Sequence, residues 1–258
     1  MLDGKSVVIS GVGPGLGREI AKAALRDGAV VTIGARSSDK LLRAAAELDA
    51  TGERVVAVPT DITIAADCEA LATAAMDRFG RLDALVQVAA FETIVSTLES
   101  TTAEIWRQSF DTNVVGSAQV IQAVAPYMRA GGGGSVVLIG TQSMWLPQLP
   151  QMAYASSKGA LLSAMYYMAQ ELGPDKIRVN MVIPTWMWGP PVQAYTTWQA
   201  KQRGVSEDTI VAEITEKMPL GEIPADEDVA DAVLFFCSDR SRMISGQSLM
   251  VNAGELMR

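Results

Sequence analysis

Short, unbroken apolar runs alternate with amphipathic segments along the whole chain. Apolar runs of this length are typical of strands covered on both faces, and the amphipathic segments have helical periodicity. Strands are predicted at residues 6–10, 29–34, 55–59, 82–88, 135–139, 178–183 and 248–251. Helices are predicted at residues 16–27, 41–51, 67–79, 102–130 with an interruption near Asn113, 154–172 and 226–238.

This alternation predicts an α/β fold, namely a single Rossmann-type, doubly wound parallel sheet of about seven strands with helices on both faces. The sequence contains no internal repeat or low-complexity linker, so residues 1–258 are interpreted as one domain. Residues 184–224 depart from this alternation of strands and helices, and they contain five prolines and three tryptophans. They lie between the sixth and seventh strands, where such sheets bind ligands, and are predicted to form a substrate loop or movable lid.

Composition excludes several classes of protein. The net charge of −8 argues against binding to nucleic acid or anionic membrane, which need a basic face. No signal sequence or membrane-spanning run is predicted, so a cytoplasmic protein is expected, with Cys68 and Cys237 as reduced, packed thiols. The chain has no histidine. This excludes Ser-His-Asp hydrolases and His-ligated zinc sites, and we expect no metal.

A glycine-rich turn joins the first strand to the first helix. Its residues are Gly11, Val12, Gly13, Pro14, Gly15, Leu16 and Gly17. Residues without Cβ let the backbone approach a pyrophosphate, and a helix N-terminus supplies N–H donors and partial positive charge. The turn is therefore predicted to bind a dinucleotide, the alternative being a merely flexible loop.

The end of the second strand indicates which dinucleotide is bound. NAD-binding sheets usually place an acid there to hold the ribose 2′-hydroxyl. This chain has Arg36 and Ser37 instead, with no acid before Asp39. A guanidinium and hydroxyls can hold a 2′-phosphate, so NADP(H) is favoured over NAD(H). The alternative is an ordinary solvated arginine.

Tyr154 and Lys158 are the predicted proton-transfer pair. Their i,i+4 spacing places both on one face of a helix. A phenol with its ordinary pKa near 10 transfers protons poorly at neutral pH, whereas a neighbouring ammonium lowers that pKa. The alternative is a partly buried tyrosine beside a surface lysine.

The chain resembles the short-chain dehydrogenase/reductase family over essentially its whole length. The matching motifs, in the family's order, are the Gly11/Gly15/Gly17 turn, Asp61, Asn113-Val-Val-Gly116, Tyr154-x-x-x-Lys158, Arg178-Val179-Asn180 ahead of Pro184, and Gly246-Gln247. The resemblance implies a seven-stranded sheet, hydride transfer to or from a nicotinamide, and a homotetramer or homodimer.

The resemblance also implies roles for individual residues. Tyr154 would be the general acid/base, and Lys158 would lower its pKa and hold the nicotinamide ribose. Asn113 would support a proton relay through a water. Asp61 and Ile62 would contact the adenine. The remaining cofactor contacts would come from the glycine turn (Gly11, Gly13, Gly15, Leu16 and Gly17), Arg36, Ser37, Ala89 and Pro184.

Three motifs depart from the family pattern. Asn-Asn-Ala-Gly is replaced by Gln87-Val88-Ala89-Ala90, and Pro-Gly by Pro184-Thr185. A threonine often found a few residues further on is replaced by Gly189. The family's catalytic serine, about thirteen residues before the tyrosine, falls on Thr141, and Ser143 is the alternative hydroxyl.

These observations predict an NADP(H)-dependent oxidoreductase of secondary alcohols and ketones. Four tryptophans, Trp145, Trp186, Trp188 and Trp198, are predicted to line a wide pocket poor in charge, suited to a bulky apolar small molecule. The alternative is that they pack the core or a subunit interface. The second functional hypothesis is a non-catalytic or regulatory nucleotide-binding protein that kept the fold.

Overall fold

A computed structural model of the chain describes residues 1–92 and 97–258. In these ranges, parallel strands form one seven-stranded sheet in the order β3-β2-β1-β4-β5-β6-β7. The strands are β1 (Ser6–Ser10), β2 (Val30–Ala35), β3 (Val55–Pro59), β4 (Ala84–Gln87), β5 (Gly134–Ile139), β6 (Ile177–Pro184) and β7 (Ser248–Val251). The predicted doubly wound sheet is confirmed, and each strand end lies within two residues of its predicted position.

The α-helices also follow the predicted order. They are α1 (Leu16–Arg26), α2 (Ser38–Leu48), α3 (Ala65–Phe79), α4 (Ala103–Phe110), α5 (Ser117–Ala130), α6 (Met152–Leu172), α7 (Pro190–Arg203), α8 (Glu207–Thr215) and α9 (Asp226–Cys237). The predicted interruption near Asn113 is a π-helical turn, Asp111–Gly116, between α4 and α5. Helix α2 ends before the predicted Thr51 because the Asp49 carboxylate accepts hydrogen bonds from the backbone N–H groups of Thr51 and Arg54.

Both faces of the sheet are covered by helices, as predicted. In β1, the side chains of Val7 and Ile9 pack into one apolar cluster with α1 and α9, and Val8 packs into a second with α3, α5 and α6. All three side chains are completely buried. Because a strand sends successive side chains to opposite faces, burial on both sides requires the unbroken apolar run seen in the sequence.

The segment 184–224 is more regular than its prolines suggest. It contains α7 and α8 instead of an extended loop. Pro190 and Pro191 occupy the first turn of α7, where a missing N–H costs nothing. Gly204 ends α7 in the left-handed conformation, and the Ser206 hydroxyl caps α8 by accepting a hydrogen bond from the Thr209 N–H.

The two cysteines lie in separate parts of the core. Cys68 and Cys237 are buried and unpaired. Burial raises the pKa of Cys68 to about 11 and that of Cys237 to about 12. Both are therefore packed thiols, as predicted. No helix within residues 1–92 and 97–258 is long and apolar enough to cross a membrane.

The glycine turn after β1 is held by close backbone contacts. Gly11 has a φ of 101°, and a Cβ there would lie 2.2 Å from the backbone nitrogen of Ala89. A Cβ at Gly17 would lie 2.3 Å from the carbonyl oxygen of Gly11. In contrast, a Cβ at Gly13 would have no neighbour within 4 Å. Packing therefore requires glycine at positions 11 and 17, whereas Gly13 faces open space.

This difference predicts opposite outcomes for two alanine variants. Gly11→Ala must displace the backbone around Ala89, and we expect it to lower the free energy of unfolding by about 2–4 kcal/mol. Gly13→Ala is the matched control and should unfold within about 0.5 kcal/mol of the wild-type protein. Urea denaturation followed by circular dichroism measures both; equal stability of the two variants would contradict the packing argument.

Candidate active site

The functional side chains gather where the carboxyl ends of β1, β4, β5 and β6 meet. The order of strands reverses between β1 and β4, and ligands of open parallel sheets bind at such a reversal. β1 pairs with β4, which pairs with β5, which pairs with β6, all in parallel. The loops that follow these four strands therefore share one edge of the sheet.

Asn113 joins the loop after β4 to α6. Its amide nitrogen donates to the Phe91 carbonyl (2.9 Å) and to the Ser157 hydroxyl (2.8 Å), and its oxygen accepts from the Phe91 N–H (2.7 Å). The Ser157 hydroxyl in turn donates to the carbonyl of Tyr154 (2.7 Å). Asn113 is fully buried. It therefore fixes the loop after β4 against the catalytic helix, and its predicted part in a water relay stays a prediction.

Tyr154 and Lys158 lie one turn apart at the start of α6. The Lys158 ammonium is buried and donates to the carbonyl of Ile139 at the end of β5 (2.8 Å). It lies 5.9 Å from the centre of the Tyr154 ring. The pair predicted from the i,i+4 spacing is thus brought to the site by the same helix face.

The surroundings of Tyr154 influence its pKa, and the predicted lowering of that pKa by Lys158 stays a prediction. Burial, and secondly the carboxylate of Glu92, raise the pKa of Tyr154, whereas a hydrogen bond with Thr141 lowers it. Burial also lowers the pKa of Lys158 to about 8, against the opposing effect of Glu92. The ammonium is directed at Ile139 instead of the phenol oxygen. Tyr154 is therefore protonated at neutral pH, as a proton donor requires.

Thr141 and Ser143 begin a chain of side-chain hydrogen bonds. Their hydroxyl oxygens are 2.7 Å apart. The Ser143 hydroxyl donates to the Gln151 amide oxygen (3.1 Å), and the Gln151 amide nitrogen donates to Glu92 Oε1 (3.0 Å). A carboxylate only accepts hydrogen bonds, so Glu92 fixes which way the Gln151 amide faces.

The two candidate hydroxyls therefore have different partners. Thr141 contacts the Tyr154 phenol, whereas Ser143 contacts Gln151. The sequence predictions missed Glu92 and Gln151. The sequence did hold a signal for each. Glu92 follows β4 closely and Gln151 lies three residues before Tyr154, and residues at strand ends converge on this edge of the sheet.

The predicted cofactor residues line the same edge of the sheet. Gly15 precedes the first turn of α1, whose N-terminus faces the open space beside Gly13. Arg36 follows β2, is exposed, and lies close enough to Asp61 for its charge to help lower the pKa of that carboxyl, after the hydrogen bonds from Thr63. An open glycine cradle at a helix N-terminus with an exposed arginine nearby fits a phosphorylated dinucleotide.

The structure shows what surrounds the two predicted adenine contacts, which stay predictions. The Ile62 side chain is buried against Gly116, where a Cβ would lie 2.9 Å from it, so only the backbone of Ile62 is left for a ligand. Asp61 Oδ1 already accepts hydrogen bonds from the N–H and hydroxyl of Thr63 (3.0 and 2.7 Å). Ser37 precedes α2 without capping it through its side chain, so its hydroxyl is available to a phosphate.

Asp226 accounts for one departure from the family pattern. Its carboxyl is buried at the start of α9, and a Cβ on Gly189 would lie 2.6 Å from its Oδ2. A side chain at position 189 would therefore require the Asp226 carboxyl to move. The same carboxyl lies near Gly15, and burial raises its pKa.

A cleft of about 220 Å³ opens between the loop after β5 and helices α7 and α8. Trp186 lines this cleft. Its indole N–H donates a hydrogen bond to Gln148 (3.0 Å), and its ring centre lies 5.2 Å from the ring centre of Tyr195. Trp145, Trp188 and Trp198 do not line this cleft: Trp145 packs under the guanidinium of Arg258, and the other two are exposed.

Charged side chains line this cleft, whereas Tyr154 and Thr141 do not, so the predicted apolar substrate pocket stays a prediction. The charged residues Arg203, Glu213, Lys217 and Glu255 all line the cleft. Glu255 accepts hydrogen bonds from Gln142 (2.7 Å), Gln148 and Thr185. The threonine that replaces the family's glycine thus ties the end of β6 to the C-terminal segment. Arg203 ends α7, Glu213 lies in α8, Lys217 follows α8, and Glu255 lies near the C-terminus.

Comparison with known proteins shows which family the chain resembles. Residues 11–255 match the family model described as enoyl-(acyl carrier protein) reductase. L-xylulose reductase of Bos taurus is 35% identical over 99% of this chain and 98% of its own length. Dehydrogenase/reductase SDR family member 4 of Mus musculus is 33% identical over 98% of this chain and 88% of its own length.

The chain belongs to the short-chain dehydrogenase/reductase family. L-sorbose reductase of Gluconobacter frateurii, solved with NADPH and L-sorbose, superposes with a TM-score of 0.92 at 26% identity, covering 100% of this chain and 98% of its own. Membership in this family confirms the resemblance and makes the protein an NAD(P)-dependent oxidoreductase of alcohols or ketones.

The charge on Glu92 predicts a shift in the pH profile of this dehydrogenase/reductase. A negative charge opposes loss of a proton from Tyr154 and from Lys158 alike, so removing it lowers both pKa values. Glu92→Gln should therefore move the rise of alcohol oxidation with pH down by about one unit. The control is Glu69→Gln, an exposed carboxyl on α3, which should leave the profile in place. An unshifted Glu92→Gln profile would show that Glu92 is uncharged or remote from the phenol.

Proposed function

We propose that the protein interconverts ketones and secondary alcohols with NADP(H) as the hydride carrier. The observation that carries this proposal is the meeting of Tyr154, Thr141 and Lys158 at the carboxyl end of β5. The nicotinamide, when bound, supplies or accepts the hydride. The protein must then orient the carbonyl, stabilise its oxygen and move one proton.

In ketone reduction, Tyr154 gives its proton to the carbonyl oxygen. Its raised pKa keeps the phenol protonated until a stronger base develops on the substrate. The Thr141 hydroxyl, which contacts the phenol, holds the same oxygen, so we assign the catalytic hydroxyl to Thr141 and give Ser143 the task of positioning it. In alcohol oxidation, the proton travels in the opposite direction.

Lys158 and Asn113 serve this chemistry in different ways. The Lys158 ammonium, fixed by the Ile139 carbonyl, would hold the nicotinamide ribose and supply positive charge beside the phenol. Asn113 keeps α6 in place through Ser157 and Phe91. Retention of all these groups argues against the non-catalytic alternative, which needs only a nucleotide site.

Preference for NADP(H) is supported by Arg36. Within the part of the chain that the structure describes, Arg36 forms no salt bridge, so its guanidinium can bind a 2′-phosphate without breaking an existing pair. The Gluconobacter frateurii reductase was solved with NADPH. We therefore favour NADP(H), with NAD(H) as the alternative.

A homo-oligomer is part of this proposal. Tyr166 and Tyr167 on α6 are 51% and 70% exposed, and Val115 in the π-helical turn is 48% exposed. Large apolar side chains concentrated on neighbouring elements favour contact with another copy of the chain. A dimer and a tetramer both fit this surface.

The proposed reaction is tested by following NADPH oxidation over a panel of ketones. Tyr154→Phe removes the transferred proton and should lower kcat by about 10³-fold or more, with NADPH binding retained. Tyr127→Phe, which removes the hydroxyl that contacts Thr73 on the surface, is the matched control and should be fully active. Binding of NADPH without turnover on any ketone, or an active Tyr154→Phe variant, would favour the non-catalytic alternative.

The cofactor assignment is tested separately. Replacing Arg36 by Leu removes a charge-assisted hydrogen bond of about 1.5–3 kcal/mol, so Kd for NADPH should rise about 10- to 150-fold. Kd for NADH, which has no 2′-phosphate, should change less than about twofold. Fluorescence titration gives both constants. A wild-type preference for NADH, or equal losses for the two cofactors, would count against NADP(H).

A further inference from the structure

Asp226 places a carboxyl between the glycine turn after β1 and the segment that follows β6. Its Oδ2 would lie 3.6 Å from a Cβ on Gly15, which precedes α1, and 2.6 Å from a Cβ on Gly189, which precedes α7. The residue is only 6% exposed. None of the cofactor contacts or proton-transfer steps proposed above uses this carboxyl.

No protein group is bonded to the Asp226 carboxyl in residues 1–92 and 97–258. It accepts no hydrogen bond there, and no lysine or arginine nitrogen lies within 4 Å of it. Arg18, the cation next to the glycine turn, pairs with Glu47 instead. Burying a carboxyl without a hydrogen-bond partner costs free energy. The unpartnered carboxyl beside the N-terminus of α1 therefore points to a ligand that bonds to it.

The charges around Asp226 favour its neutral form. Burial, and after it the carboxylates of Glu227 on α9 and Glu19 on α1, raise the pKa of Asp226. The glycine turn (residues 11–17) and the segment 184–189 contain no charged side chain that would oppose this effect. A diphosphate at the N-terminus of α1 would bring further negative charge. A neutral carboxylic acid has an O–H to donate, whereas a carboxylate only accepts hydrogen bonds.

We propose that Asp226 binds the diphosphate of the dinucleotide as a neutral carboxylic acid, donating its O–H to a diphosphate oxygen. The proposal rests on the cofactor site argued above and adds a residue to it. When Asp226 is ionised in the cofactor-free protein, binding takes up one proton from the solvent. The affinity for the cofactor therefore falls as the pH rises and Asp226 ionises.

Three other roles for Asp226 predict different behaviour. An ionised Asp226 that accepts a hydrogen bond from the cofactor would place negative charge beside the diphosphate, and like charges at close range repel. A divalent cation held between them would need further protein ligands, and in the described ranges no three histidine, cysteine, aspartate or glutamate side chains come together to hold one. A purely structural Asp226 would stabilise the first turn of α9 without affecting the cofactor.

The test compares the wild-type protein with Asp226→Asn, which keeps the size of the side chain and an N–H donor but cannot ionise. Calorimetric titration with NADP⁺ at about pH 5.5 should give values of Kd within about twofold of each other, whereas at about pH 8 the variant should bind at least about fivefold more tightly. Ionisation of the 2′-phosphate and of Lys158 affects both proteins alike and cancels from the comparison. Asp231→Asn, an exposed carboxyl on α9, is the matched control and should follow the wild type at both pH values.

Proton uptake gives a second measurement that does not depend on turnover. Titrations at about pH 7 in two buffers of different ionisation enthalpy should show the wild type taking up about half a proton or more per NADP⁺ beyond Asp226→Asn. Asp226→Ala, which removes the charge and the donor together, should bind less tightly than Asp226→Asn at both pH values, and relative to Asp226→Asn its affinity should not fall with pH.

Three results would overturn the role of Asp226: tighter binding by the wild type than by Asp226→Asn at about pH 8, a ratio of the two Kd values that is independent of pH, or binding tightened by Mg²⁺ in the wild type alone. If NADP⁺ binds and supports turnover while one of these results is found, the proposed function stands and only the role of Asp226 falls. If neither NADP⁺ nor NADPH binds the wild type, the cofactor assignment and the role of Asp226 fall together.

Discussion

The active site depends on the three hydrogen bonds that the buried amide of Asn113 makes to Phe91 and Ser157. They fix two elements that are far apart in sequence, the loop after β4 and the first turns of α6. Glu92 is carried by the first element, and Tyr154 and Lys158 by the second. A π-helical turn at Asp111–Gly116 places the amide between them, and such turns often occur at functional sites.

The electrostatics of the site follow from that placement. Burial opposes charge on both Tyr154 and Lys158, and Glu92 favours the protonated form of each. The result is a neutral phenol beside a buried ammonium. The same carboxylate orients Gln151 and, through it, the Ser143 hydroxyl. One residue thus contributes both to the charge of the site and to its hydrogen-bond directions.

The departures from the family motifs have local compensations. The Gln87 amide donates to the Ala89 carbonyl and to the Ser117 hydroxyl (both 3.2 Å), which stabilises the loop after β4. Gly11 still packs directly on Ala89, so the glycine turn keeps its contact with this loop. The Thr185 hydroxyl bonds to Glu255, and Gly189 gives room to Asp226. The altered motifs therefore keep the backbone of the site in place through new hydrogen bonds and contacts.

The amino-acid sequence alone determined the sheet, the order of its elements, the glycine turn and the Tyr154–Lys158 pair. Each of these depends on periodicity or on spacing within a few residues, which a linear pattern records. The tertiary structure decided what those patterns cannot contain: the raised pKa of Tyr154, the separate partners of Thr141 and Ser143, and the hydrogen bonds of the Glu92 and Glu255 carboxylates. These properties depend on Glu92, Gln151 and Glu255, which lie at different distances along the chain and become neighbours only when the sheet brings its loops together. The burial of a side chain and the charge around it depend on all the groups that surround it. They are therefore determined by the fold and not by any local motif.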